Sequence, residues 1–255
     1  MDICKQIGMK RVLCFVLALS CLQLHAQSME SPYSSLTDGD VVSNMKQHVG
    51  FLSSSGMEGR KAGSDSERSA AEYVAETFLK YGVDVISPRE GDLFGIRQET
   101  GDTLTAFIPG YDKTLRNNYI VIGARLDNLG TAMVNMNGEK REKVFYGANG
   151  NASGLAVLLE LARMLQTNKV LLKRSVILAA FGSSLEQQAG SWYFLNRSFA
   201  APDRIDAMIN LDMLGTISGG FYAFTASNQD INDCLNALQE TLQPVQPVIV
   251  SNEPV

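Results

Sequence analysis

The chain has 255 residues, 45% of them hydrophobic, enough to bury one sizeable core. Its 27 acidic residues outnumber 22 basic ones, for a net charge of −5 at pH 7, and no extended basic run occurs. That balance excludes nucleic acid and anionic membrane surfaces as expected partners.

Lys5, Lys10 and Arg11 precede the apolar run Val12 to Leu24, and Ala26 supplies a small residue for cleavage, so residues 1–26 read as a secretory signal peptide. The apolar run is too short to span a membrane as a stable helix. Met9, followed by Lys10 and Arg11, is the more typical start of such a signal. Cys21 after Leu19 and Ser20 has the outline of a lipid-attachment site, but Ala18 stands where leucine is usual and the apolar run continues beyond it. The expected location is therefore periplasmic or secreted, with lipoprotein anchoring at Cys21 the lesser alternative. Removing the leader takes Cys4, Cys14, Cys21 and His25 with it, and leaves Cys234 and His48. One cysteine forms no internal disulfide. Among Ile231, Leu235 and Leu238, Cys234 is expected to be a buried apolar side chain. One histidine cannot form a two-histidine metal site, and offers a single imidazole to any Ser–His or Cys–His pair.

Gln27 to Gly39 is polar, rich in serine and contains Pro32, and reads as a flexible lead-in (27–39) to a domain spanning 40–255. Val41, Val42, Met45, Val49 and Leu52 recur at helical spacing, which predicts a helix over Asp40–Leu52 with His48 packed beside the stripe. Met57 to Gly63 reads as a loop tied down by Glu58 and Arg60. Ser64 with Glu67 has the spacing of a capping box, opening a helix through Ala71, Val74, Phe78 and Leu79 that Gly82 closes. Strands are predicted at Thr103–Ile108, Asn118–Ala124, Ser175–Phe181, Ala207–Asp212, Phe221–Thr225 and Val248–Ser251. Helices are predicted at Ala152–Leu165, Ser191–Asn196 and Asn228–Leu242. The runs Tyr119–Ile122 and Val176–Ala180 are continuously apolar, as in strands covered on both faces. Strands alternating with helices give an α/β fold, a three-layer domain with a mostly parallel mixed sheet flanked by helices.

In such a sheet the site lies at the carboxyl ends of the strands, beside a helix N-terminus. Arg125 and Asp127 follow one strand, Ser184 another, Asp212 ends a third, and Asn151 begins a helix. No G-x-S-x-G elbow accompanies Ser153, Ser183 or Ser184, so capping or solvated serines are the better reading than a nucleophile.

Four segments in order, Gly123-Ala-Arg-Leu-Asp-Asn-Leu-Gly130, Gly147-Ala-Asn-Gly-Asn-Ala-Ser-Gly154, Ala180-Phe-Gly-Ser-Ser-Leu-Glu-Gln-Gln-Ala-Gly-Ser191 and Asn210-Leu-Asp-Met-Leu-Gly215, resemble the M28 family of zinc aminopeptidases. There the segments usually read GAHxDHxG, GADDNASG, AFxGEExGLxGS and NLDMIG. The resemblance implies a zinc-aminopeptidase-like fold. It places a first His at Arg125, its orienting carboxylate at Asp127, a bridging Asp at Gly150 between Asn149 and Asn151, the base at Ser184, a ligand Glu at Leu185 and a ligand Asp at Asp212. A late His of the family has no counterpart before Val255. Glu186 lies one residue beyond the ligand position. Zinc is the cofactor the family implies, and only Asp212 of its ligands is retained, so no cofactor and no catalytic residue are expected here.

The expected function is that of an exported M28 peptidase-like protein without catalysis, binding or scaffolding a peptide or protein partner. Two alternatives stand beside it: a zinc exopeptidase or aminoacyl hydrolase completed by another subunit, and a truncated gene product without function. Relative to the family the C-terminal part is expected to be missing. That leaves Val248–Ser251 as an exposed strand through which a homo-oligomer forms. With the metal gone, Arg125 is expected to pair with Asp212, Asp127 or both, and its removal to cost on the order of 3 kcal/mol by stranding buried charge.

Overall fold

Continuous apolar strands and two strongly one-sided helices decide the architecture. The structure, a computed structural model, describes residues 38–86, 94–96, 99–198, 201–215, 221–225, 228–242 and 248–251. The chain divides into two units, Met1–Asp40 and Val41–Val255. Of the first only Asp38–Asp40 are described, so the expected signal peptide and nearly all of the lead-in lie outside the described residues.

Helix α1 (Asp38–Leu52) opens two residues before its predicted start, and α2 (Asp65–Lys80) follows the loop. Strands β1 (Asp84–Ile86), β2 (Phe94–Ile96), β3 (Glu99–Gly101), β4 (Leu104–Ile108) and β5 (Tyr119–Arg125) come next. Then follow β6 (Gly130–Met136), β7 (Glu139–Phe145), α3 (Ser153–Thr167), β8 (Ser175–Phe181), α4 (Ala189–Tyr193), β9 (Ile205–Leu211), β10 (Phe221–Phe224), α5 (Gln229–Leu242) and β11 (Val248–Ser251). The central sheet runs β1-β4-β8-β5-β9. Strands β8, β5 and β9 are parallel, and β4 and β1 add an antiparallel flank.

The centre of the sheet, β8 and most of β5, is buried on both faces, as the unbroken apolar strands require, while the edge strand β9 keeps Met208 and Ile209 about half exposed. Ile122, Ala124, Leu178 and Ala180 face the helices, where Val74 and Phe78 of α2 and Leu155, Leu158 and Leu159 of α3 complete the core. Val121, Ile177, Ala179 and Phe181 face the other way, against Phe194. All seven residues of β8 are buried. Each such aliphatic side chain contributes roughly 1.5–3 kcal/mol relative to exposure. Gly123 is required where β5 passes β8's end, since a Cβ there would press into the Phe181 ring.

Several features depart from the sequence reading, and β1, β2 and β3 are not among its predicted strands. Strands β6 and β7 form a hairpin that the sequence analysis did not predict. Cys234 is exposed rather than buried, because the apolar stripe of α5 that flanks it stays partly open, with Ile231 and Leu238 39% and 48% exposed. Helix α4 begins two residues early and runs into a π-helical turn at Phe194–Ser198. At the C-terminal end, β11 pairs in parallel with β10, and Ile249 remains half exposed.

His48 is buried between α1 and α2, with Nδ1 2.7 Å from the Tyr73 hydroxyl and Nε2 3.2 Å from that of Tyr81. Burial lowers its pKa; Glu160 pulls the other way and Lys80 adds to the lowering. A depressed pKa means that its contribution is complete above the free imidazole's pKa and is lost as pH falls through the folded one. The stability advantage of the wild type over His48→Gln should therefore shrink between about pH 8 and about pH 5. Urea denaturation across that range checks it; an advantage that grows on acidification contradicts it.

Candidate functional site

The register of the three parallel strands brings the site together. Arg125 sits beside Phe181, and Ala124 beside Leu211, so the segments after β5, β8 and β9 emerge at one end of the sheet. Here the structure assembles Arg125, Asp127, Asn149, Gly150, Asn151, Ser184 and Asp212 around the start of α3.

Asp127 is fully buried and accepts from two successive backbone N–H groups, Ser184 at 2.7 Å and Leu185 at 3.0 Å. Burial raises its pKa, while those donors and Arg125 pull it down. One residue earlier, Ser183 N–H donates to Glu67 Oε1 at 3.0 Å, and Glu67 Oε2 accepts from Gly63 N–H at 2.7 Å. Burial pushes the Glu67 carboxyl up to about 7 against these donors. Stability tied to it is complete below the free carboxyl's range and is lost as pH rises through about 7, the reverse of His48. The capping box thus forms on one side only. Ser64 Oγ accepts from Glu67 N–H at 3.2 Å, while the Glu67 carboxylate reaches Gly63 and the site loop. Gly182 permits that reach, because a Cβ there would meet Glu67 Oε1 and the Asp102 carbonyl.

Arg60 is the residue that sequence reasoning placed only as a loop anchor. Fully buried, it donates to the carbonyls of Leu126, Tyr146 and Gly147, each at 3.1 Å, and of Leu52. Burial lowers its pKa to about 10, so it stays charged at neutral pH. Glu58, its expected co-anchor, is exposed and serves instead as a left-handed cap at φ 43°. Asn128 was also missed as a brace; its Nδ2 donates to the Phe145 carbonyl at 2.7 Å.

The two asparagines around Gly150 bind backbone as well. Asn151 donates to Leu211 O at 2.8 Å and accepts from Met213 N–H at 2.9 Å and Gly154 N–H at 3.2 Å. Asn149 Oδ1 accepts from Gly215 N–H at 2.7 Å. The Gly150–Asn151 peptide is cis. None of the serines stands free as a nucleophile would: Ser184 Oγ donates to Phe181 O at 2.9 Å, Ser153 Oγ faces Asn149 Oδ1 at 3.2 Å, and Ser183 is buried with its backbone N–H on Glu67.

Arg125 and Asp212 converge, with Nη2 3.4 Å from Oδ1. A Cβ placed on Gly150 would lie 3.7 Å from the same Nη2, so the guanidinium stands next to an open position. Of the two expected partners, Asp212 makes the contact, while the Asp127 oxygens accept from backbone N–H groups and feel Arg125 only through its charge. The Asp212 side chain is 47% exposed, so removing Arg125 returns it to water instead of stranding buried charge. Leu185 is 43% exposed, and Glu186 lies half-buried in the turn after it. Among the described residues, no three His, Cys, Asp or Glu side chains group as a metal would need.

The model of peptidase family M28 matches residues 104–254. The chain belongs to that family. No curated protein gives a match. Among solved structures, LapA of Legionella pneumophila superposes with a TM-score of 0.61 at 20% identity, over 89% of this chain and 62% of its own. The zinc aminopeptidase BSAP of Bacillus subtilis gives 0.63 at 14% identity, over 82% of this chain and 79% of its own. A leucine aminopeptidase precursor from Bacteroides thetaiotaomicron gives 0.63 at 19% identity, over 82% and 76%. These are likenesses of fold, and this M28 chain spans less than two thirds of the LapA length.

The bonds rank the site residues by stability. Asp127→Asn should cost about 1–3 kcal/mol, because an amide accepts from one of the two N–H groups and turns its own donors toward the other. Arg125→Ala should cost under about 1 kcal/mol. Chemical denaturation of both variants checks the order, and an equal or larger loss for Arg125→Ala contradicts it.

Proposed function

We propose that this M28 protein is exported, does not catalyse peptide hydrolysis and acts by binding a peptide or protein partner at the carboxyl end of its sheet. The observation that carries the reading is the Arg125 guanidinium facing Asp212 across Gly150. Zinc takes three or four donors from imidazole, thiolate or carboxylate. Arg125, Gly150 and Leu185 supply none, and Asp212 alone does not hold the ion, so the residues do not fit a zinc pair. A permanent cation also stands where a dication would have to enter.

A binding role draws support from the rim. Leu129, Tyr146, Leu185 and Met213 adjoin the site segments in sequence and are 43–55% exposed. Exposed apolar side chains beside a polar centre are what a peptide-binding cleft presents. Export rests on the signal-like pattern of residues 1–26. Among the described residues no helix is long and apolar enough to cross a membrane.

Purified protein loaded with zinc and then dialysed should retain well below one metal per chain and release no residue from aminoacyl anilides. Elemental analysis and a turnover assay read both. Stoichiometric zinc, with turnover that a chelator abolishes, would falsify this reading.

A further inference from the structure

The β6–β7 hairpin pairs with no other strand among the described residues. Its base is anchored on the β6 side, where Gly130 N–H donates to Gly59 O at 3.0 Å and Asn128 bridges to Lys61. Among the described residues nothing pairs with the outer edge of β7, and Glu139 to Lys143 are exposed. Asn137 at φ 56° and Gly138 at φ 90° form the two-residue turn, so the flanking pair Met136 and Glu139 exchanges both backbone hydrogen bonds. From there the pattern alternates. Glu139, Arg141 and Lys143 turn their N–H and C=O groups toward β6, and Lys140, Glu142 and Val144 turn theirs outward.

We propose that β7 is a homodimer interface, pairing antiparallel with β7 of a second copy about an axis at Arg141. Two constraints select this register. Outward-facing residues must meet outward-facing residues for the ladder to form, which restricts the axis to a residue rather than the gap between two. Centring on Arg141 then sets Glu139 against the partner's Lys143 and Lys140 against the partner's Glu142, with each contact repeated by symmetry. Centring on Glu142 opposes Arg141 to Lys143 and Glu142 to its own copy. Centring on Lys140 opposes it to its own copy and keeps only the Glu139–Arg141 match. The single like-charge meeting in the favoured register, Arg141 with its copy, is tempered because each Arg141 already binds Glu139 of its own chain at 2.8 Å. A charged edge repels strands of arbitrary sequence. One whose charges are opposite about its centre accepts its own antiparallel copy.

Such an edge buries little area, so the dimer should be weak and sensitive to salt. Sedimentation of the full chain at low salt should show concentration-dependent dimer. Lys143→Glu and Glu139→Lys should each weaken it at least about tenfold, since symmetry counts every reversal twice. Mixing the two variants should restore association, because the two reversed charges then face each other in one contact and the native Glu139–Lys143 pair remains in the other. Thermal melting confirms that each variant is folded. A chain that is monomeric at every concentration overturns the proposal. So does a dimer that ignores both reversals, whose contact would lie elsewhere, on β11 for example, and so does a mixture that stays monomeric.

Discussion

The site depends on two buried carboxylates gripping three successive N–H groups. Glu67 takes Ser183, and Asp127 takes Ser184 and Leu185. A buried carboxylate needs such donors, because burying it without them costs far more than the bonds return. The grip fixes the path of the chain after β8 and, through Gly63, ties it to the start of α2. Under the proposed function, it also accounts for how the frame of an M28 site persists without the metal chemistry. The donors are backbone groups, which remain in place whatever side chain stands at positions 184 and 185. Arg60 follows the same rule on four carbonyls, and Asn149 and Asn151 follow it on the segment after β9.

The side chains that would do chemistry are thereby decoupled from those that hold shape. Of Leu185 the frame uses only the backbone N–H, and a Cβ at Gly150 would meet nothing nearer than 3.6 Å. Arg125 and Asp212 are the exception, since their charges answer each other. At 3.4 Å, with Asp212 half in water, that contact sets the local charge balance and adds little to stability.

How much of this the sequence disclosed follows the same division. The strands β5 and β8 were legible because burial on both faces leaves an unbroken apolar run. Helices α2 and α3 were legible from their stripes. Strands β6 and β7 were not, because water bathes both faces of Glu139–Lys143 and no alternation survives. Asn137-Gly138 was the one signal there, and it was passed over. The short β1 carries too few residues for a period. Gly123, Gly147 and Asp212 could be placed by motif order. The contacts of Arg60 and Glu67 to the site could not, because those partners, Leu126, Tyr146, Gly147 and Ser183, lie 66 to 116 residues away and are backbone atoms, which have no sequence signature. Cys234 was misplaced for a related reason: a helical stripe says which face is apolar, and nothing about whether a neighbour covers it.

On the proposed function, the frame of the site is intact and only its metal donors are missing. Restoring donors tests it most directly. In the combined variant Arg125→His, Gly150→Asp and Leu185→Glu, three donors join Asp212, and a Cβ at position 150 meets nothing nearer than 3.6 Å. Calorimetric titration with zinc should show saturable binding by this variant and none by the wild type. A variant that stays folded yet takes no zinc, or a wild type that binds it equally well, would contradict the account.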